Sequence, residues 1–314
     1  MSPTPRAEAF SGVLTPVLTP FAADGAVDAR GFVAHCRWLL AEGGDGLAIF
    51  GTTSEANSLA LDEKLALLDR LVEAGVPGEK LMPGTGCCAL PETVRLTRAA
   101  VEAGAGGVLL LPPFYYKAVS DEGLFRSLAE TIEAVSDSRL RVYLYHIPPV
   151  AQVGWSLPLV ERALKAFPDT VVGLKDSSGD WSNTKALLDA FPGLDVFPGS
   201  EVFLLDGLKA GAAGCITATA NVNLRAIRRV YEAWQAGDEQ VEGLQAEVTD
   251  FRKKLQAHPM IPALKAVLAA YRGPESWAVP RPPLLPLPAP DAKELMATLR
   301  ALDFRLERQH APAS

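Results

Sequence analysis

The stretch Thr15-Pro16-Val17-Leu18-Thr19-Pro20-Phe21 decides between two α/β architectures. It closes the first apolar run of the chain, residues 12–17, where a doubly wound open sheet would carry a glycine-rich phosphate turn. Two prolines and no glycine stand there, so that turn is excluded. Outward from this point, short apolar runs recur at 47–50, 81–84, 107–111, 141–147, 171–175, 195–197 and 214–216. Runs apolar at nearly every position belong to strands buried on both faces, as in a parallel sheet covered by helices. Between the runs the apolar residues adopt helical spacing. Examples are Phe32, Val33, Cys36, Leu39 and Leu40 within 28–42, and Leu224, Ile227, Tyr231 and Trp234 within 224–234. Eight strand-then-helix units within about 235 residues predict an α/β fold, a TIM (β/α)8 barrel.

Beyond the eighth unit the pattern changes. Residues 239–257 and 261–271 read as additional C-terminal helices with no strand between them. The tract Pro280-Arg281-Pro282-Pro283-Leu284-Leu285-Pro286-Leu287-Pro288-Ala289-Pro290 cannot be helix or central strand, because proline lacks the backbone donor. It reads as an extended surface segment on the barrel's outer wall, leading into a last helix at 291–305; an SH3-type ligand is the competing reading. The expected division is an N-terminal arm at 1–10, the barrel at 11–236, a C-terminal helical extension at 237–306 packed on the barrel, and a frayed tail at 307–314.

Composition narrows the function. The 314 residues are 48% hydrophobic and 21% charged, with a formal net charge of −7. A mildly acidic surface argues against nucleic acid as a partner. No apolar run approaches the ~20 residues that a membrane helix needs, and residues 1–10 hold no secretory h-region. Four cysteines in a chain this long do not make a disulfide framework. A cytoplasmic protein is expected, with neither a membrane nor a nucleic-acid partner. Of the four histidines only His146 falls at a strand end, and no HxH or HExxH spacing exists; Cys87 and Cys88 are adjacent rather than spaced for ligation. No metal is expected. Gly84-Thr85-Gly86 is too short for a nucleotide fingerprint, and Ser54 has no evident triad partners, so no cofactor and no serine-hydrolase chemistry are expected.

In a barrel, catalytic groups gather at the carboxyl ends of the strands. Among those residues Lys175 stands out, because it follows the buried run Val171-Val172-Gly173-Leu174. An ammonium buried there is costly unless paired. One reading pairs it with Asp176. The other makes it a nucleophilic amine, freed by desolvation to attack a carbonyl. Moving a lysine from about 10.4 to about 7 takes roughly 4.6 kcal/mol of differential environment. Tyr145 ends the preceding strand and offers a hydroxyl able to donate and accept a proton, or else serves as a core tyrosine. Gly51-Thr52-Thr53 offers consecutive N–H groups and two hydroxyls suited to a carboxylate, or else caps the following helix.

Taken together, Thr19-Pro20-Phe21, Gly51-Thr52-Thr53-Ser54-Glu55, Pro113-Phe114-Tyr115-Tyr116, Tyr145-His146-Ile147-Pro148, Gly173-Leu174-Lys175-Asp176 and Gly211-Ala212-Ala213-Gly214-Cys215-Ile216-Thr217 resemble the dihydrodipicolinate synthase and N-acetylneuraminate lyase family. The likeness runs over nearly the whole chain. It implies a class I aldolase on a TIM barrel in which Lys175 forms a Schiff base with pyruvate or a longer 2-oxo acid. It further implies that Tyr145 is the general acid/base, that Thr52 and Thr53 bind the carboxylate, and that Gly199 and Ile216 line the imine pocket. Tyr116, or its neighbour Tyr115, matches a tyrosine that reaches into the adjoining protomer's site, and a homotetramer built as a dimer of dimers is implied. No cofactor is needed, because the lysine supplies the electron sink.

Two departures bear on the reaction. Ser54 stands where the family usually has glycine. Val150 stands where true dihydrodipicolinate synthases carry an arginine that holds the second substrate's carboxylate, and an apolar group cannot replace that clamp. The spacing from Tyr145 to Lys175 is also slightly long, which suggests a remodelled loop. The expected activity is therefore a Schiff-base lyase that cleaves, condenses or dehydrates a 2-oxo acid, most simply an aldolase releasing pyruvate. The alternatives are 4-hydroxy-tetrahydrodipicolinate synthase acting on pyruvate and aspartate semialdehyde, a 2-keto-3-deoxy sugar-acid dehydratase, and a catalytically silent barrel that binds an oxo acid.

Overall fold

The computed structural model describes residues 9–273 and 275–306. Most of the expected N-terminal arm (1–8) and the whole expected tail (307–314) lie outside the described residues. The ladder-forming strands are β1 (Gly12–Thr15), β2 (Gly46–Leu47), β3 (Val108–Leu110), β4 (Val142–His146), β5 (Val171–Asp176), β6 (Asp195–Pro198) and β7 (Gly214–Ile216). Every ladder is parallel, in the orders β2-β1-β7 and β3-β4-β5-β6. The apolar run at 81–84 joins the two groups through isolated bridges, Leu47 to Leu81 and Gly84 to Leu109. A full ladder cannot form there, because Pro83 has no N–H to give. On the other side the Ala213 N–H donates to the Val196 carbonyl at 3.0 Å and completes the ring of a TIM barrel.

Alternate residues of these strands converge on the axis. Leu14, Ala48, Met82, Leu109, Tyr143, Tyr145, Phe197 and Ile216, from the strands and from the run at 81–84, pack as one buried cluster. The Tyr143 ring fits because two glycines leave room for it, Gly173 opposite it on β5 and Gly107 just before β3. A Cβ on Gly173 would sit 2.3 Å from the ring, and one on Gly107 would sit 2.7 Å from it. The Tyr143 hydroxyl donates to Asp195 at 3.3 Å, and burial raises its pKa. The amino end of the barrel is thereby plugged, and chemistry is left to the carboxyl end.

The outer layer is built from α1 (Ala29–Ala41), α2 (Leu61–Glu73), α3 (Leu90–Glu102), α4 (Asp121–Val135), α5 (Pro148–Ala151), α6 (Leu157–Ala166), α7 (Trp181–Ala190), α8 (Leu204–Lys209) and α9 (Ala220–Ala236). Their apolar faces, such as Phe32, Cys36 and Leu39 of α1, cover the sheet. The C-terminal helices α10 (Val241–Gln256), α11 (Met260–Arg272) and α12 (Ala289–Ala301) share a core of Phe251, Leu255, Leu264, Leu268, Trp277, Leu295 and Leu299, with Leu18 and Val222 contributed by the barrel. Among the described residues no helix is long and apolar enough to cross a membrane.

Two expectations about this end are corrected. The last helix begins at Ala289 rather than residue 291, with Pro290 in its first turn where the helix needs no N–H, and it stops at Ala301 rather than 305. The proline-rich segment does not lie on the outer wall. Arg281 fastens it to the loops at the carboxyl ends of β1 and β2, donating to the carbonyls of Gly25 (2.9 Å) and Ser58 (2.8 Å) and, with two nitrogens, to Glu63 (2.6 and 2.7 Å).

Candidate active site

The register of β4 on β5 pairs Tyr145 with Lys175 and His146 with Asp176. The alternation of a strand then sends the first pair into the barrel and the second outward. Lys175 is 4% exposed, with its ammonium nitrogen 4.6 Å from the centre of the Tyr145 ring. Asp176 turns toward α7 and accepts from Ser178 N (3.0 Å), Ser178 Oγ (3.1 Å) and Thr184 Oγ1 (2.6 Å). The alternative in which Asp176 neutralises Lys175 is thus not realised, and Lys175 forms no ion pair among the described residues. The Tyr145 hydroxyl lies 3.2 Å from Thr52 Oγ1. Lysine, tyrosine and threonine, from three separate strand ends, form one connected set.

The segment after β4 holds that strand end in place. Trp155 donates from its indole to the Tyr145 carbonyl at 3.2 Å and from its backbone N–H to His146 Nδ1 at 2.9 Å. His146 is therefore committed to the loop, and burial holds its imidazole below the ordinary histidine value, against the pull of Asp176. Among the described residues no group of three histidine, cysteine or carboxylate side chains could hold a metal.

The turn after β2 is bounded by two residues in the left-handed region, Phe50 (φ 59°) and Glu55 (φ 57°). For a residue as bulky as phenylalanine this backbone is strained and has to be held by its surroundings. Phe50 is buried and stacked on Phe32 with ring centres 6.2 Å apart. Within the turn, Ser54 N donates to Gly51 O (3.1 Å) and Glu55 N to Thr52 O (3.0 Å). The N–H groups of Thr52 and Thr53 have no protein acceptor among the described residues, which leaves consecutive donors for an anion. The alternative role of this turn, capping α2, falls to other residues: Ala60 N donates to Glu63 Oε2 at 2.9 Å. Ser54 adds no free hydroxyl to the nest, since its Oγ donates to Val17 O at 2.5 Å.

Gly199 and Ile216 stand on the next strand ends. Gly199 N donates to Asp176 O at 2.7 Å, and a Cβ at Gly199 would lie 2.1 Å from Ser177 Oγ and 2.9 Å from Ser177 Cβ, so a side chain there would displace Ser177. Ile216 belongs to the interior cluster that includes Tyr145. The end of β7 is held by Glu201, wholly buried, which accepts from Thr217, Thr219 and Arg252. Tyr116 and Val150 are not gathered within the single chain. Tyr115 and Tyr116 are 74% and 73% exposed, edge to face with each other, and Val150 on α5 is 62% exposed. Of the residues that brace the site from beneath, Glu55 closes the motif at 51–55 without a role assigned to it, and Glu201, Lys265 and Arg281 belong to no active-site motif. The one sequence signal for them is a lysine and two glutamates at positions otherwise reserved for apolar side chains.

Residues 9–302 match the model of the dihydrodipicolinate synthetase family. A protein of Chloroflexus aurantiacus named as an uncharacterized DapA-like lyase is 36% identical over 299 residues, 94% of this chain and 96% of the relative. The crystal structure of dihydrodipicolinate synthase from Agrobacterium tumefaciens superposes with a TM-score of 0.86 at 32% identity, over 95% of this chain and all of that one. YagE, a prophage protein of Escherichia coli K12 from the same family solved in complex with pyruvate, also gives 0.86, at 27% identity over 95% of this chain and all of that one.

Proposed function

The chain belongs to the dihydrodipicolinate synthetase family, and from that premise we propose that it is a Schiff-base lyase acting on pyruvate or a longer 2-oxo acid. The observation that carries the proposal is the buried Lys175, free of a carboxylate partner, over a tyrosine whose hydroxyl touches Thr52. The substrate carboxylate is received by the N–H groups of Thr52 and Thr53. The amine of Lys175 adds to the 2-oxo carbon. Tyr145 delivers a proton to the carbinolamine oxygen, water leaves and an iminium forms. In the cleaving direction the Tyr145 phenolate takes the proton of the C4 hydroxyl, the bond between C3 and C4 breaks, its electron pair passes to the iminium as an enamine, and the aldehyde departs. Protonation at C3 and hydrolysis then release pyruvate and restore the lysine. Gly199 and Ile216 close the pocket around the imine.

Val150 supports a partner that is uncharged at its far end and hence an aldolase rather than the synthase reaction with aspartate semialdehyde. Robust turnover of pyruvate with aspartate semialdehyde overturns that finer assignment. The exposed Tyr115 and Tyr116 support a homotetramer in which Tyr116 completes the neighbour's proton relay; sedimentation of a monomer at assay concentration refutes it. The Schiff base is tested by incubation with pyruvate, reduction with borohydride and intact-mass measurement. A stable adduct mapped to Lys175 is expected, and Lys175→Ala abolishes it. An unmodified parental protein identifies a binding-only barrel.

A further inference from the structure

A buried ion pair forms the floor of the Thr52–Thr53 turn. Glu55 and Lys265 are the side chains there, both with zero exposure. Their charged atoms are 2.5 Å apart. The lysine comes from α11, in an apolar stretch of helix where Ala263, Leu264, Val267 and Leu268 are all buried. Its nitrogen also donates to Val279 O at 2.9 Å and lies 4.4 Å from the centre of the Phe21 ring. The second oxygen of Glu55 accepts from Arg281 N at 2.8 Å. One carboxylate thus ties the strained end of the nest to both α11 and the segment after it.

Burying two charges in a core costs more desolvation than an apolar pair of similar size would. Stability alone is a weak reason for such a pair, whereas the attachment is specific. Glu55 N is bonded to Thr52 O, and Thr52 Oγ1 touches Tyr145, so Lys265 is connected to the general acid through two residues. We infer that Lys265 is a positioning residue for the substrate carboxylate: through Glu55 it holds the backbone turn that aims the Thr52 and Thr53 N–H groups. This assigns the C-terminal helices a part in the site, and it rests on the Schiff-base reading above. Lys265 touches neither substrate nor Lys175. Its loss displaces the anion donors, and weakening a hydrogen bond to a charged group lowers binding about 10- to 100-fold.

The test measures borohydride trapping of pyruvate as a function of pyruvate concentration. Lys265→Met, with its melting temperature recorded alongside, is expected to raise the half-saturating pyruvate concentration about 10- to 100-fold. The trapping rate at saturation stays within about threefold, because the β4–β5 ladder and Trp155 hold Tyr145 against Lys175 independently of the turn. The double variant Glu55→Gln/Lys265→Met removes both charges and keeps an acceptor for Arg281 N; it is expected to recover at least half of that shift on a logarithmic scale. A Lys265→Met protein that saturates as the parent does, or a double variant no better than the single one, overturns the inference. If Lys265→Met does not fold, Glu55→Gln is read alone: a rise of threefold or more supports the inference, and unchanged saturation overturns it. Absence of an adduct in the parental protein counts against the Schiff-base reading, not against this one.

Discussion

Tyr145 and Lys175 sit side by side because two parallel strands place them in register, and this contact is the source of the proposed chemistry. A phenol within 3.2 Å of a threonine hydroxyl has a path along which a proton can move. Removing only that hydroxyl, with Tyr145→Phe, leaves the ring packed and takes away the relay. The adduct-forming rate at saturating pyruvate should fall about 10²- to 10⁴-fold, the usual contribution of a positioned acid/base, as read by quenched borohydride trapping. A fall of less than fivefold assigns the proton transfer elsewhere. Lys175 is legible from the sequence, since a lysine closing a buried apolar run calls for an explanation. Its freedom from Asp176 is not, because the two side chains leave opposite faces of β5 and adjacency along the chain says nothing of that. Ser54 shows the same limit: its residue type suggests an added hydroxyl in the nest, whereas the structure turns that hydroxyl to the Val17 carbonyl.

At the scale of elements, the strands follow directly from their unbroken apolar runs, and so do the long amphipathic helices. The exceptions have local causes. Residues 81–84 carry the right residues for a strand and yet form only isolated bridges, because Pro83 removes a donor. Pro290 falls inside a helix because the first turn tolerates it. The fit of Tyr143 against Gly107 and Gly173 invites a direct test, since Gly173 is its partner on β5 and Gly107 precedes β3 on the other side. Gly173→Ala places a methyl 2.3 Å from the Tyr143 ring and 2.7 Å from the Asp195 carbonyl, with backbone on one side and a fully buried ring on the other. Destabilisation of about 3 kcal/mol or more is expected from such overpacking, measured as a lowered denaturant midpoint. A variant within 0.5 kcal/mol of the parent, a threshold of about the ordinary surface effect, shows that β5 shifts freely.

At the scale of the whole molecule, the barrel and the C-terminal helices meet at His35 of α1. Its Nε2 is 2.9 Å from Asn221 Oδ1 and its Nδ1 is 2.7 Å from a guanidinium nitrogen of Arg272, with Trp277 edge-on at 4.9 Å. Burial, and then the neighbouring Arg272 charge, hold His35 well below the ordinary 6.5. The same burial brings Arg272 down to about 9. The folded protein therefore declines a proton that the unfolded chain accepts below pH 6.5. Stability from this group is complete above that value and is lost as the pH falls from 6.5 toward the depressed folded value. The melting temperature should drop between pH 7 and pH 5, and His35→Gln should flatten that dependence. The residual slope is carried by His146, whose value is lowered in the same sense. An unchanged slope in the variant places the acid sensitivity outside this junction.

The order of apolar runs along the chain was sufficient by itself to define the barrel, the helical layer and the residues at the carboxyl ends of the strands, Lys175 foremost. Period and burial are properties of each segment and its own side chains, so they can be read in one dimension. What only the folded molecule decided is which neighbours each side chain faces: Tyr145 under Lys175, Thr52 beside Tyr145, and Lys265 beneath Glu55 from 210 positions further along the chain. That last contact arises where α11 packs under a loop of the barrel mouth. The pairing of two buried charges depends on the low dielectric and the geometry created there, which no local pattern of residues encodes.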